Sequence, residues 1–195
     1  MTGNLVLLGL SASTRDGALA AHAGASLCGY VVGAVVGSRI CRPVRTPAWP
    51  RTAVVALAVE LSALFVVAVI RGAVSGALPA PLEAVLLGVT AVAMGLQSAV
   101  GRAAPAVRRS TTYLTGSLTD LLASMSAGEG LARERQALGV LVAAVLGAGA
   151  DAALVTFVPR TGPLLSVACV GAVLALVVRD RRSVAVIATE VPDGV

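Results

Sequence analysis

Five apolar runs, each long enough to cross a bilayer as a helix, constrain the fold of this chain more than any other feature. They lie at residues 19–38, 53–70, 80–100, 136–158 and 162–178. A membrane-spanning helix needs about 17–25 predominantly apolar residues. Each run ends at arginine or at proline and glycine, and the connections are short. The sequence therefore predicts an all-α polytopic membrane protein, with one transmembrane domain over residues 1–182 and a loosely ordered cytoplasmic tail at 183–195.

The composition excludes a soluble globular protein. Hydrophobic residues make up 57% of the chain and charged residues 13%, whereas about 25% of a soluble domain is charged. The net charge of +5 could indicate a nucleic-acid partner, but the fifteen basic residues are all arginines that lie in short clusters between the apolar runs. Aromatic residues, which stack on bases, make up only 3% of the chain. We therefore expect the lipid bilayer, and no nucleic acid, as a partner.

The distribution of the arginines predicts the orientation of the spans. If the loop at 39–51 is cytoplasmic, the cytoplasmic segments together hold twelve arginines and the other side holds three. Such an excess is the positive-inside signal. The run at 19–38 then points inward, and the run at 136–158 points outward.

A short Thr-Gly motif occurs twice and indicates an internal duplication. At an offset of 113 residues, the first copy matches the second at Thr2, Gly3, Leu5, Leu8, Ser11 and Ser13. The copies, at 2–13 and 114–126, are too short to span a membrane alone, so we expect re-entrant segments or half-helices. Because the runs that follow them point in opposite directions, the two halves, about 1–78 and 79–182, are predicted to be inverted repeats.

Small residues recur every four positions in the run that follows each copy. They are Ala25, Gly29, Gly33 and Gly37 in the first half, and Gly139, Ala143 and Gly147 in the second. This spacing puts them on one helical face and permits close approach of backbones. We expect these two helices to pack against each other or against the half-helices, with Asp151 on the same face.

Three motifs in a fixed order resemble a known family. They are Met-Thr-Gly-Asn at 1–4, Ala-Met-Gly-Leu-Gln-Ser-Ala at 93–99 and Thr-Thr-Tyr-Leu-Thr-Gly-Ser-Leu-Thr-Asp at 111–120. Together they look like the bacterial YoaK family, the membrane domain of unknown function numbered 1275. The resemblance implies a bacterial plasma (inner) membrane, about six spans and a place for Gln97 near the site, but no reaction. It also implies a first transmembrane helix before the Met-Thr-Gly-Asn motif, which this sequence lacks. We expect the true start to lie upstream of Met1; the alternative is that the duplication lost its first helix in this protein.

The Thr-Gly copies are the first candidate for a binding site. Glycine lets the backbone start a half-helix, and Asn4 or Ser117 can cap it. The free amides of a helix broken inside a membrane need protein, water or a ligand, and secondary transporters direct such amino ends at anionic groups. We predict a substrate site formed by Thr2, Gly3, Asn4, Gln97, Thr115, Gly116, Ser117 and Asp120. The structural alternative is that these groups only bond to neighbouring helices.

Two carboxyl groups, of Glu60 and Asp151, lie inside predicted spans. A charged carboxylate at the bilayer centre costs about 2.5–3.5 kcal/mol on insertion scales, so the group must be protonated, paired or in contact with water. No basic residue lies at membrane depth to pair with either one. We predict proton or ion coupling for both. The alternatives are a structural hydrogen bond and, for Asp151, a wet position near the outer interface.

These features favour a small secondary transporter or permease with proton coupling and an unknown small solute. The rival is a non-transporting structural, lipid-binding or assembly protein of the membrane. A channel is a third class and would require a homo-oligomer. Enzyme signatures are missing from the sequence, so we expect no enzyme, no catalytic residue, no cofactor and no metal site. The only histidine, His22, is interpreted as an interfacial side chain, and the cysteines as apolar fillers.

Overall fold

The computed structural model of the protein describes residues 2–41, 49–74, 76–103, 114–126, 135–158 and 161–190. Within these ranges the chain is helical. The helices are α1 (Thr2–Thr14), α2 (Gly17–Ile40), α3 (Arg51–Ala73), α4 (Ala80–Ala103), α5 (Leu114–Ser126), α6 (Arg135–Phe157) and α7 (Gly162–Glu190). The predicted all-α fold class is therefore confirmed.

Five helices of the described chain are long and apolar enough to cross a membrane, as the sequence predicts. The spans are Gly17–Ile40, Arg51–Ala73, Ala80–Ala103, Leu138–Phe157 and Gly162–Ser183. The two Thr-Gly segments form the 13-residue helices α1 and α5. A helix of this length extends about 20 Å, which is less than the roughly 30 Å of the hydrocarbon core. Their re-entrant course and the inverted repeat stay predictions.

The last helix is longer than the sequence predicts. Helix α7 continues to Glu190, so residues 183–190 are helical instead of loosely ordered, and residues 191–195 lie outside the described ranges. The arginines at 179, 181 and 182 mark the end of the apolar run. They do not end the helix, because arginine is itself a good helix former.

The turn between α1 and α2 is closed by capping contacts at both helix ends. The amide of Asp16 donates to the carbonyl of Ser11, with a distance of 3.1 Å, and Arg15 adopts a left-handed conformation with φ of 55°. This is the Schellman arrangement that ends a helix. The Asp16 carboxylate then accepts from the amide of Leu19 at 3.0 Å and caps α2. Helix α1 packs on α2 after this turn.

Helices α2 and α4 pack in parallel along a seam of glycines, which we call the glycine seam: Gly29, Gly33 and Gly37 of α2 with Gly95 of α4. A Cβ added at Gly29 would lie 2.5 Å from the Gly88 carbonyl oxygen, and one added at Gly33 would overlap the backbone of Val92. The half-helices do pack on the helices that carry the small-residue ladders, α1 on α2 and α5 on α6, as the sequence predicts. The glycine seam itself is formed with α4, which the sequence does not predict. The difference arises because a small-residue ladder specifies close approach but not which helix approaches.

On its other face, α4 packs with α3 through three apolar clusters, and α7 joins the first two. The first joins Leu57, Val100 and Val177 with smaller residues near the Arg102 end of the bundle. The second joins Leu64, Ala93 and Val170. The third joins Val67, Leu78 and Leu86 near the Arg71 end. As the α3 residue numbers rise, the α4 and α7 numbers fall, so α3 runs antiparallel to both helices.

The chain forms two compact units, Met1–Arg108 with Pro163–Val195, and Arg109–Gly162. The first contains α1 to α4 and nearly all of α7; the second contains α5 and α6. Within the second unit α5 packs on α6. Near the end of α5 the Ser126 hydroxyl donates to the Ala123 carbonyl at 2.8 Å, and Ser13 donates in the same way to Leu10 in α1 at 2.8 Å.

Candidate functional site

The centre of the candidate site is the carboxyl group of Glu60, near the middle of α3. Its side chain is 0% exposed. Among the residues that the structure describes, neither of its two carboxyl oxygens has a hydrogen-bond partner. The helical period explains the burial, since Glu60 follows Ala56 by four residues and precedes Leu64 by four, and both are buried. A polar group in such a position costs free energy in the folded state unless something satisfies it.

The packing register puts Gln97 of α4 at the level of Glu60. Leu57 shares a cluster with Val100, and Leu64 shares a cluster with Ala93. In an antiparallel pair, the residue three positions beyond Leu57 lies at the same level as the residue three positions before Val100. Glu60 and Gln97 are these two residues. Gln97 is half-buried, so an amide that can donate and accept lies at the same depth as the carboxyl group.

A hydrogen bond between α2 and α4 fixes the rotation of α4 at this depth. The Tyr30 hydroxyl donates to the Ser98 hydroxyl at 3.1 Å, and the Ser98 hydroxyl donates to the carbonyl of Met94 at 3.0 Å. Ser98 follows Gln97 directly, and it points at α2. Gln97 follows Ala93 by four residues and precedes Val100 by three, so it lies on the helical face that packs on α3. Tyr30 is not among the residues predicted above, although an isolated tyrosine in an apolar run signals a buried hydroxyl that needs a partner.

The first Thr-Gly copy lies on a different helix from Glu60. Thr2, Gly3 and Asn4 form the first turn of α1, with Thr2 and Gly3 exposed and Asn4 half-buried. Among the described helices, α1 packs on α2 but not on α3 or α4. The structure therefore brings Glu60 and Gln97 to one level and leaves the α1 residues beside α2.

The remaining predicted residues lie in the second unit. Thr115, Gly116, Ser117 and Asp120 occupy the first two turns of α5, where Gly116 is half-buried. Asp151 lies in α6, and its side chain is exposed within that unit. Asp151 thus differs from Glu60, which is enclosed by its own unit.

A buried thiol closes the Arg102 end of the α3–α4–α7 core. Cys41 is 3% exposed and packs in the cluster of Leu57 and Val100. Burial raises the pKa of the Cys41 thiol, and a side-chain hydrogen bond with Thr52 lowers it by a smaller amount. A thiol held in its neutral form is a poor nucleophile, so Cys41 acts as an apolar packing residue.

The exposed surface of the spans is apolar. Large hydrophobic side chains stand exposed along α2 and α3, among them Val31, Val35, Phe65, Val66 and Val69. Soluble monomers rarely expose contiguous patches of this kind, whereas a helix in lipid presents such a surface along its length. Fold and surface together define a multi-pass integral membrane protein.

Within that class the chain belongs to the family described as "Protein of unknown function (DUF1275)", whose model matches residues 1–178. It is similar to the UPF0700 transmembrane protein YoaK of Bacillus subtilis (strain 168), with 29% identity over 126 residues that cover 65% of this chain and 54% of that protein. The match thus spans about half the length of that relative. No solved structure matches the chain. The resemblance noted in the sequence motifs is confirmed.

Proposed function

We propose that this protein is a small secondary transporter of a bacterial plasma membrane, in which Glu60 carries the coupling proton. The observation that supports the proposal is the complete burial of Glu60 with both carboxyl oxygens unpartnered among the described residues. A structural carboxyl group would have a hydrogen-bond partner in the core. Ionisable groups inside membrane spans mark proton relays and ion pathways.

The buried position suggests how Glu60 takes part in coupling. In the enclosed state the carboxyl group is neutral, because an isolated carboxylate without water or a partner is far more costly than a carboxylic acid. Exposure of the same group to water on either side of the membrane would let it ionise. Alternating exposure therefore links a conformational change to movement of one proton. Gln97, at the same level, offers a partner for the carboxyl group or for the solute.

The glycine seam supports the mechanical part of the proposal. Helices α2 and α4 touch through backbone atoms and so form a rigid pair, whereas α3 contacts α4 through side chains. A change of access to Glu60 then requires movement of α3 or α7 against the α2–α4 pair, with the pair kept intact. For the Thr-Gly copies on α1 and α5, and for Asp120 and Asp151, a role in solute or proton movement is supported by the sequence duplication and by the acidic side chains.

Flux measurements in proteoliposomes test this function. Purified protein is reconstituted, and a panel of amino acids, monocarboxylates, sugars and amines is applied while an internal pH dye and the transient current are recorded. We expect at least one solute to produce proton movement, and Glu60→Gln, which cannot ionise, to abolish it. Asp180→Asn serves as the matched control, because Asp180 is an exposed acid on α7. Asp151→Asn, alone and with Glu60→Gln, reports on the second carboxyl group.

Two results would overturn the proposal. If no solute in the panel moves and no proton flux appears, the duplicated motifs serve packing, lipid binding or assembly. If a solute moves but the Glu60→Gln and Asp151→Asn variants transport it with unchanged pH dependence, neither carboxyl group couples protons.

A further inference from the structure

A cavity of about 310 Å³ opens at the Arg71 end of the bundle, where α2 and α4 begin and α3 ends. This end carries few arginines and is the predicted outer face. Its volume is at the lower end of the range for ligand sites, roughly 300–1,000 Å³. Among the helices that line it, α2 contributes His22, α3 contributes Arg71 and α4 contributes Glu83. None of these residues belongs to the site around Glu60.

The wall of the cavity carries two opposite charges that are not joined. Arg71 and Glu83 both line it, and within the part of the chain that the structure describes they form no ion pair with each other. Both side chains are exposed. The cavity therefore presents a cation and an anion with a space between them, and a ligand that carries both charges would complete the two pairs.

His22 adds an acceptor to this wall. Its Nδ1 lies 2.7 Å from the carbonyl oxygen of Ala18. A carbonyl only accepts hydrogen bonds, so Nδ1 carries the proton and, in the neutral ring, Nε2 is an acceptor. The Thr90 hydroxyl donates to the Leu86 carbonyl at 2.9 Å and keeps its oxygen as a further acceptor. An ammonium group would thus find Glu83, His22 and Thr90 as acceptors.

The floor of the cavity is apolar. It consists of Val67, Leu78, Leu86 and Leu87, and the first three are buried and pack together in one cluster. A short apolar side chain or carbon chain on the ligand would cover this floor. The cavity therefore combines one site for an anion, one for an ammonium group and one for a small hydrocarbon group.

We propose that this cavity binds a small zwitterion, with its anionic group on Arg71, its ammonium group on Glu83 and its hydrocarbon portion on the Val67–Leu86 floor. Two sources supply this chemistry: a free α-amino acid with an apolar side chain, and the ethanolamine headgroup of a phospholipid. The proposal that the cavity binds a zwitterion is inferred from the residues that line it and does not depend on transport. Only the further statement, that the bound zwitterion is the transported solute, rests on the proposed function.

Binding is measured on the full chain in nanodiscs, without a gradient, so that the outcome does not depend on transport. Calorimetric titration with leucine in phosphatidylglycerol nanodiscs gives the affinity for a free zwitterion. A comparison of thermal stability in phosphatidylethanolamine and phosphatidylglycerol nanodiscs reports a headgroup. Leucine binding identifies the free solute, whereas stabilisation by phosphatidylethanolamine without any leucine effect identifies the headgroup.

The charge requirement is tested first on the unaltered protein. Isopentylamine and isocaproate have the carbon skeleton of leucine without its carboxylate or its ammonium group. If the two charges act together, each analogue binds at least about 10-fold more weakly, because each loses a charge-assisted hydrogen bond. Equal binding of either analogue would overturn the zwitterion assignment. The same loss of at least about 10-fold is expected for leucine with Arg71→Gln or Glu83→Gln.

Two control variants separate this inference from the proposed function. Arg39→Gln removes an arginine from the other end of α2 and leaves binding unchanged. Glu60→Gln keeps leucine or headgroup binding but loses proton-coupled flux. If the unaltered protein binds leucine or the headgroup but shows no flux, the zwitterion site stands and the transporter proposal is wrong. If it transports some other solute and binds neither leucine nor the headgroup, the transporter proposal stands and the zwitterion site is wrong.

Discussion

Helix α4 meets its neighbours on its two faces in opposite ways. Towards α2 it offers glycine, and backbone lies directly on backbone, as the overlap of a Cβ at Gly95 with the Tyr30 carbonyl makes clear. Towards α3 and α7 it offers Ala93 and Val100. At the level between them lies the carboxyl group of Glu60, which has no hydrogen-bond partner among the described residues. One face is formed by close backbone contact, and the other buries a polar group at a cost in free energy.

The difference follows from the physics of helix association in lipid. Lipid tails are as apolar as leucine, so apolar burial does not drive spans together, and van der Waals contact between close backbones does. The glycine seam supplies this contact for α2 and α4. The α3 face can then hold Glu60 at a cost in stability, because the fold does not depend on that face alone. Functional sites commonly have such a cost.

The largest expected effect comes from adding one methyl group to the seam. In Gly33→Ala the new Cβ would overlap the carbonyl and Cα of Val92, and backbone atoms cannot rotate away as a side chain can. The helices must separate along the seam, at a cost of about 3 kcal/mol. The free energy of unfolding in detergent micelles, from denaturant titration, gives the value.

Gly24→Ala is the matched control, because it lies on the same helix and its Cβ would meet nothing within 4 Å. That variant keeps the stability of the unaltered protein or gains up to about 1 kcal/mol from the better helix propensity of alanine. Equal effects of the two substitutions would mean that the α2–α4 contact does not hold the fold together.

The second-largest expected effect is a gain in the stability of the folded state, and it concerns the face of α4 that packs on α3. In Glu60→Met the unpartnered carboxyl group is replaced by a flexible apolar side chain of similar length. The desolvation cost of the carboxyl group disappears, so the folded state gains about 1–3 kcal/mol. The measurement is the same unfolding titration. Stabilisation together with loss of proton flux would distinguish a functional carboxyl group from a structural one.

Glu83→Gln provides the reference, because Glu83 is exposed and its substitution changes the free energy of unfolding by less than about 0.5 kcal/mol. A loss of stability in Glu60→Met would contradict the comparison of the two faces. It would mean that the carboxyl group is satisfied in the membrane and contributes to the fold.

The sequence predicts those parts of the molecule that depend on local composition. Hydropathy and length identify the five spans, and the spacing of Gly29, Gly33 and Gly37 identifies a close-contact face. The isolated charge of Glu60 in an apolar run identifies a functional candidate. Each of these signals lies within a single helix, so no knowledge of neighbours is required.

The parts that the sequence does not predict depend on which helices become neighbours. The spacing of Gly29, Gly33 and Gly37 does not specify that α4 is the helix that packs against them. Gln97 reaches the level of Glu60 only through the antiparallel register of α3 and α4. His22, Arg71 and Glu83 lie on three different helices, and they line one cavity only because three helix ends meet there.

The smallest expected effect is the coupling energy of one hydrogen bond on the α2 face of α4, and it tests what sets the rotation of this helix. Tyr30 and Ser98 form a hydrogen bond of 3.1 Å between α2 and α4. Interhelical hydrogen bonds in membranes average about 0.6 kcal/mol in double-mutant cycles, so a cycle of Tyr30→Phe and Ser98→Ala should give a coupling energy of this size.

Ser62→Ala replaces Ser98→Ala in the control cycle. Like Ser98, Ser62 donates to the carbonyl four residues earlier in its own helix, at 2.8 Å, but it forms no bond with Tyr30. A coupling energy near zero in the first cycle would mean that the glycine contacts alone set the rotation of α4, and that the Tyr30–Ser98 bond has no part in placing Gln97.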